Sequence, residues 1–146
     1  MNREIKFRGK ALFDNEWVYG NLIENANGHI CIQERMYVKN PVLFNYTTQS
    51  TEVYPDTIGQ FMGCKDKNSK EIFEGDIAME SFKTMSIIEF YEGAFVSRNK
   101  YRRLIPALFS GDAVTGMNMN FLEVIGNVHD NNELLNEFNS ELKEVI

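Results

Sequence analysis

The sequence predicts a mainly β fold followed by one helix, on three observations. Short apolar runs recur roughly every ten residues between turns rich in Gly, Asn, Asp and Pro, the spacing of a small barrel or sandwich. Residues that suit strands are frequent, with 11 Phe and 6 Tyr among 146 residues. Only the last segment leaves the two-residue period of a strand for the longer period of a helix. The regular strand–helix alternation of a nucleotide-binding α/β fold is missing.

Ile5-Lys6-Phe7-Arg8-Gly9 alternates apolar and polar residues, as a half-buried strand does. Asp14-Asn15 supplies a turn into the second strand, Glu16 to Ile23. Asn27-Gly28 reads as the left-handed pair that a two-residue hairpin needs. His29 to Gln33 is the third strand, with Ile30 and Ile32 on one face and His29 and Cys31 on the other. Residues 3–33 are therefore an expected antiparallel meander.

Met36-Tyr37-Val38 and Pro41 to Phe44 are short candidate strands around a Pro-interrupted turn. Tyr46 to Thr51 is a polar stretch rich in β-branched residues, an exposed loop or an edge strand. Pro55-Asp56-Thr57 suits a turn or a short helical start. Two apolar runs, IGQFMG from Ile58 and EIFEGDIAM from Glu71, then flank the polar turn KDKNSK, a β-hairpin of a small barrel. Met85 to Tyr91 and Ala94 to Ser97 are strands joined by Glu92-Gly93. Residues 98–118 form a longer excursion, and Phe121 to Ile125 is the last strand.

The C-terminus changes character. Asp130 with Glu133 three residues on fits a capping box. Leu134, Leu135, Phe138, Leu142 and Val145 then mark one face of an amphipathic helix of roughly 14 residues. Its polar face is acidic, with Glu133, Glu137, Glu141 and Glu144 against Lys143.

Three blocks in this order resemble the YopX family of phage and prophage proteins. They are REIKFRGK with EWVYGNL, then VYPDTIGQFMGCKDKNSKEIFEGDI, then FLEVIGNVHDNNELL. Three departures stand out: Cys64 where Leu is usual, Ser69 where Gly is usual and Asn132 where Pro is usual. The resemblance implies an N-terminal antiparallel β region over residues 1–52, an SH3-like β-barrel over 53–129 and the helix over 130–146, joined as one compact unit. It implies no catalytic residues, since the family brings no established activity. A Ser at the turn tip is strained if its φ is positive.

Candidate chemistries can be weighed against plainer readings. His29, Cys31, Cys64 and His129 are the only His and Cys side chains. They lack the paired short spacings of a zinc site, and Cys64 in a Leu slot behaves as a small buried hydrophobe. Glu74 and Asp76 would share a strand face and could act as acid and base. The plainer role for Asp76 is to accept hydrogen bonds from turn amides. No nucleophile elbow and no phosphate-cradling glycine loop is present. No cofactor or metal is expected, and the aromatics Phe7, Trp17, Tyr19 and Phe61 are expected in the core.

Arg98, Lys100, Tyr101, Arg102 and Arg103 form a basic stretch with one interleaved aromatic, a candidate contact for single-stranded nucleic acid. The net charge of −6 disfavours general nucleic-acid binding. The plainer reading pairs these cations with the acidic body. The helix stripe Leu134, Leu135, Phe138, Leu142 and Val145 must be buried, on its own barrel or on another subunit. No apolar run approaches a membrane span, and the charged N-terminal segment MNREIKFRGK has no apolar core. The expectation is a cytoplasmic, non-enzymatic accessory protein that forms a homo-oligomer and binds a host or phage protein. Nucleic-acid binding and a small hydrolase or lyase using Glu74 or Asp76 are the alternatives.

Overall fold

The computed structural model describes residues 4–34, 49–80, 83–101, 104–106, 118–119 and 122–144. The fold is mainly β with a single C-terminal helix. The chain divides into two compact units, Met1–Gln60 and Phe61–Ile146. The break falls later than residue 52 because Val53 bridges to Ala11, while Gly59 and Gln60 pair with the first strand.

In the first unit, β1 (Phe7–Lys10), β2 (Trp17–Glu24), β3 (Ile30–Gln33) and β4 (Ser50–Glu52) form an antiparallel meander in that order. This matches the expected strands, with β4 the edge strand at the end of the polar stretch. The short strands expected at 36–38 and 41–44 lie outside the described residues. Alternation along the strands sends Ala11, Ile32, Thr51 and Val53 into the core. Pro55–Thr57 makes one 3-10 turn, led in by Tyr54 and started by the proline ring.

The first hairpin loop differs from the expected one. Strand pairing ends at Glu24 and Ile30, so the loop spans residues 25–29. Only Gly28 of the Asn27-Gly28 pair has positive φ (78°). Asn25 explains the longer loop: its Oδ1 accepts the N–H groups of Asn27 and His29, and its carbonyl accepts that of Gly28.

In the second unit, β5 (Gly59–Asp66) pairs antiparallel with β6 (Glu71–Phe73), and its end runs parallel beside β11 (Asn118–Met119). A five-stranded antiparallel sheet follows. It is built from β7 (Asp76–Glu80), β8 (Met85–Tyr91), β9 (Ala94–Asn99), β10 (Leu104–Pro106) and β12 (Leu122–Asn127), in the order β10-β9-β8-β7-β12. Glu92 and Gly93 both have positive φ and join β8 to β9 in a two-residue turn. Among the described residues the ladders do not close into a ring, so the expected SH3-like barrel is not found as a closed barrel. The physical reason sits at the seam between β12 and the β5–β6 hairpin. There the hairpin turn meets β12 through the Lys67 N–H on the Leu122 carbonyl and through a carboxylate, in place of a strand ladder.

The five-stranded sheet is buried on both faces. Ala78, Ile88, Leu122 and Val124 pack against Met62, Cys64 and Ile72 of the hairpin. Ile77, Met85 and Ile87 pack against helix α1 (Asn132–Glu144) through the fully buried Phe138. The helix starts one residue later than the capping box predicts. The Asp130 carboxylate accepts from the Asn127 side chain at 3.0 Å, whereas the Asn131 carbonyl accepts the Leu135 N–H at 3.1 Å.

Candidate functional site

The acids of the central hairpin are held by backbone amides. Asp66 is 1% exposed at the start of the turn. Its Oδ1 accepts the N–H groups of Asn68 at 2.8 Å and Lys70 at 2.9 Å, and its Oδ2 accepts that of Val124 on β12 at 2.9 Å. Burial pushes the Asp66 carboxyl up. The three amide donors and the Lys70 charge outweigh burial and hold the carboxyl below its usual range. One carboxylate thus shapes the turn and fastens it to the next sheet.

Asp76 is equally buried, and its Oδ2 accepts the Phe73 N–H at 2.9 Å. This is the turn role anticipated as the plainer reading. Glu74 and Asp76 do not share a strand face, because Glu74-Gly75 is the tight turn between β6 and β7 and Gly75 has φ 87°. The period-two argument applies only inside a strand. Outside the turn, Lys67 pairs with Glu123 at 2.5 Å, and Asn68 donates to the same carboxylate at 3.4 Å. The Lys67 contact draws the Glu123 carboxyl below its usual range.

The basic stretch turns toward the helix. Arg98 on β9 makes a two-pronged pair with Glu89 on β8, Nε to Oε2 at 2.9 Å and Nη2 to Oε1 at 2.7 Å. That pair raises the Arg98 pKa against the opposing effect of burial. The guanidinium carbon lies 5.4 Å from the centre of the Phe138 ring. Lys100 faces Glu141 of α1 at 3.7 Å and sits beside the Tyr101 ring, which is exposed. Arg102 and Arg103 lie outside the described residues. The acidic face of the helix therefore receives a cation from this stretch.

On the helix stripe, Phe138 is fully buried, and Leu134, Leu135 and Leu142 are half-buried against the same sheet; Val145 lies outside the described residues. His29 accompanies Glu52 through Nδ1 and Oε1. Cys31 is half-buried and Cys64 buried, both as free thiols, and burial pushes the Cys64 thiol up to about 11. Among the described residues no three His, Cys, Asp or Glu side chains are gathered to hold a metal ion. None of the described helices is long and apolar enough to cross a membrane. Phe61 is core as expected, but Tyr19 is not: it stands 43% exposed. The alternation that marks β2 as a strand carries no sign of which face is covered.

Comparison with known proteins agrees with this geometry. The family described as YopX protein matches residues 6–136. The fold is similar to the crystal structure of protein EF1440 from Enterococcus faecalis. That likeness has a TM-score of 0.51 and 26% identity, and covers 92% of this chain and 99% of that one. No curated protein matches the sequence.

Proposed function

This chain belongs to the YopX family, and from that membership and the placement of its charged side chains we propose that it is a phage- or prophage-derived accessory protein, a non-enzymatic binding module that self-associates. One observation carries the reading. Of the two acids that could have served as acid and base, Asp76 is a buried acceptor of the Phe73 N–H, and Glu74 lies in the β6–β7 turn off its strand face; the neighbouring Asp66 is likewise a buried acceptor of backbone N–H groups. A carboxylate so engaged builds a turn and is withdrawn from solvent and substrate. The five-stranded sheet with the β5–β6 hairpin fastened to β12 is the part we read as SH3-like, a scaffold suited to presenting surfaces.

Self-association is supported by apolar surface at the tip of the β8–β9 hairpin. Phe90 and Tyr91 are 53% and 46% exposed. Phe90 packs edge-on against Phe95 at 5.1 Å, and Tyr91, next along the strand, points to the other face. Both faces of the tip are thus aromatic, and such patches favour burial against another surface. The helix stripe is the less suitable contact, because its central Phe138 is already inside the chain's own core. Static light scattering at rising concentration tests the reading. The expected result is a mass above that of the 16.9 kDa chain, falling back to it when Phe90 and Tyr91 are both changed to Ser. A strict monomer at high concentration overturns it.

The basic stretch lends weaker support to the nucleic-acid alternative. Arg98 and Lys100 direct their charge to Glu89 and Glu141.

A further inference from the structure

The sheet of the first unit has a second face, opposite Ala11 and Val53, and its side chains fall into cross-strand rows. Register sets Trp17 against Lys10 and Tyr19 against Arg8. On the other side of β1, the Tyr54 N–H reaches the Lys10 carbonyl at 2.9 Å beside the Ala11–Val53 bridge, and Gly59 pairs with Arg8. The rows read Trp17–Lys10–Tyr54 and Tyr19–Arg8–Gly59, three aromatics and two cations without an acid. Lys10 Nζ lies 5.5 Å and the Arg8 guanidinium carbon 4.6 Å from the centre of the Trp17 ring. Tyr19 and Tyr54 are 43% and 45% exposed. The acid in the adjoining row, Glu52, is engaged by His29.

We propose that this face binds single-stranded nucleic acid, with bases stacked on Tyr19 and Tyr54 and a backbone phosphate at Lys10. The inference rests on the reading of the chain as a binding module and gives that module a ligand class. Exposed rings on a sheet accept any base, because every base has a flat π-face, and a neighbouring cation follows the phosphates. An acidic peptide would engage Lys10 but leave the flat tyrosine faces without stacking partners. Arg8 is buried, so it is a positioning residue that backs the Trp17 ring. The net charge of −6 confines such binding to low salt, although most of the acidic residues lie beyond residue 60.

The chain has a single Trp, so Trp17 fluorescence reports on this face alone. The full-length chain is titrated at low salt with a labelled oligothymidylate, following label anisotropy, and with the unlabelled oligomer, following Trp17 emission. Anisotropy is expected to rise as Trp17 is quenched. Tyr19→Ala and Tyr54→Ala are each expected to weaken binding about tenfold. Lys10→Glu is expected to weaken it and flatten its salt dependence. Tyr19→Leu keeps the bulk without the flat ring and stands in if the alanine variant fails to fold. Lys100→Glu combined with Tyr101→Ala is expected to leave the titration unchanged. No anisotropy change at low salt overturns the proposal, as does binding without Trp17 quenching. So does binding that is lost in the Lys100–Tyr101 variant but kept in the tyrosine variants. Failure here is distinguishable from failure of the binding-module reading, which the mass in solution tests independently.

Discussion

Asp66 ties three parts of the second unit together with one side chain. Its carboxylate accepts two amides of its own turn, and it takes the place of a strand neighbour for the buried Val124 N–H. Its pKa is lower in the folded chain than in the unfolded one. A group shifted in that direction stabilises the fold above its unfolded value, about 3.9 for Asp, and the contribution disappears as pH falls through the folded value. Asp66→Ala is therefore expected to lose about 3 kcal/mol at neutral pH, since it removes a charged acceptor of three N–H groups and leaves the buried Val124 N–H without one. Urea denaturation at several pH values checks this. The gap between wild type and variant should narrow as the pH drops below about 4; a gap constant across that range contradicts the role of the charged form. The sequence placed Asp66 in a turn, but only the fold brings Val124, distant in sequence, to its second oxygen.

At the scale of elements, turns and caps decide where the sequence reads true. Glu92-Gly93 was legible, because a two-residue connection between two apolar strands leaves few geometries. Asn27-Gly28 looked equally clear and was not, because the Asn25 side chain supplied two local hydrogen bonds that favour a longer loop. The helix start slipped by one residue for a similar reason: Asn127 Oδ1 accepts the N–H groups of His129 and Asp130, and its side-chain amide engages the Asp130 carboxylate. The KDKNSK turn carries the strain its sequence suggested: Ser69 has φ 64°, in the left-handed region. Ser69→Gly is expected to raise stability by about 1 kcal/mol, because glycine enters that region without a Cβ clash. Thermal unfolding measures it, and a variant no more stable than wild type removes strain from the description of this turn.

At the scale of the whole molecule, the mainly β class and the terminal helix were legible, since alternation and helical period are local signals. Closure was not, because a seam held by a carboxylate and one main-chain bond leaves no periodic trace in the sequence. Nor were the pairs Arg98–Glu89 and Lys100–Glu141, which join residues that only the folded sheet and helix make neighbours. The hairpin part of the central family block thus marks scaffold: Ile72, Phe73 and Ile77 are core, and Asp66 and Asp76 are turn acceptors. Exposed aromatic rings stand at the β8–β9 tip, with Phe90 and Tyr91, and on the second face of the first sheet, with Tyr19 and Tyr54. Hydrogen exchange at low and high protein concentration is the most direct test of self-association through that tip. Amides of Phe90 to Ala94 should become slower to exchange as concentration rises, while those of Asn132–Glu144 stay unchanged. Exchange independent of concentration throughout the chain, or concentration-dependent protection confined to the helix, would contradict it.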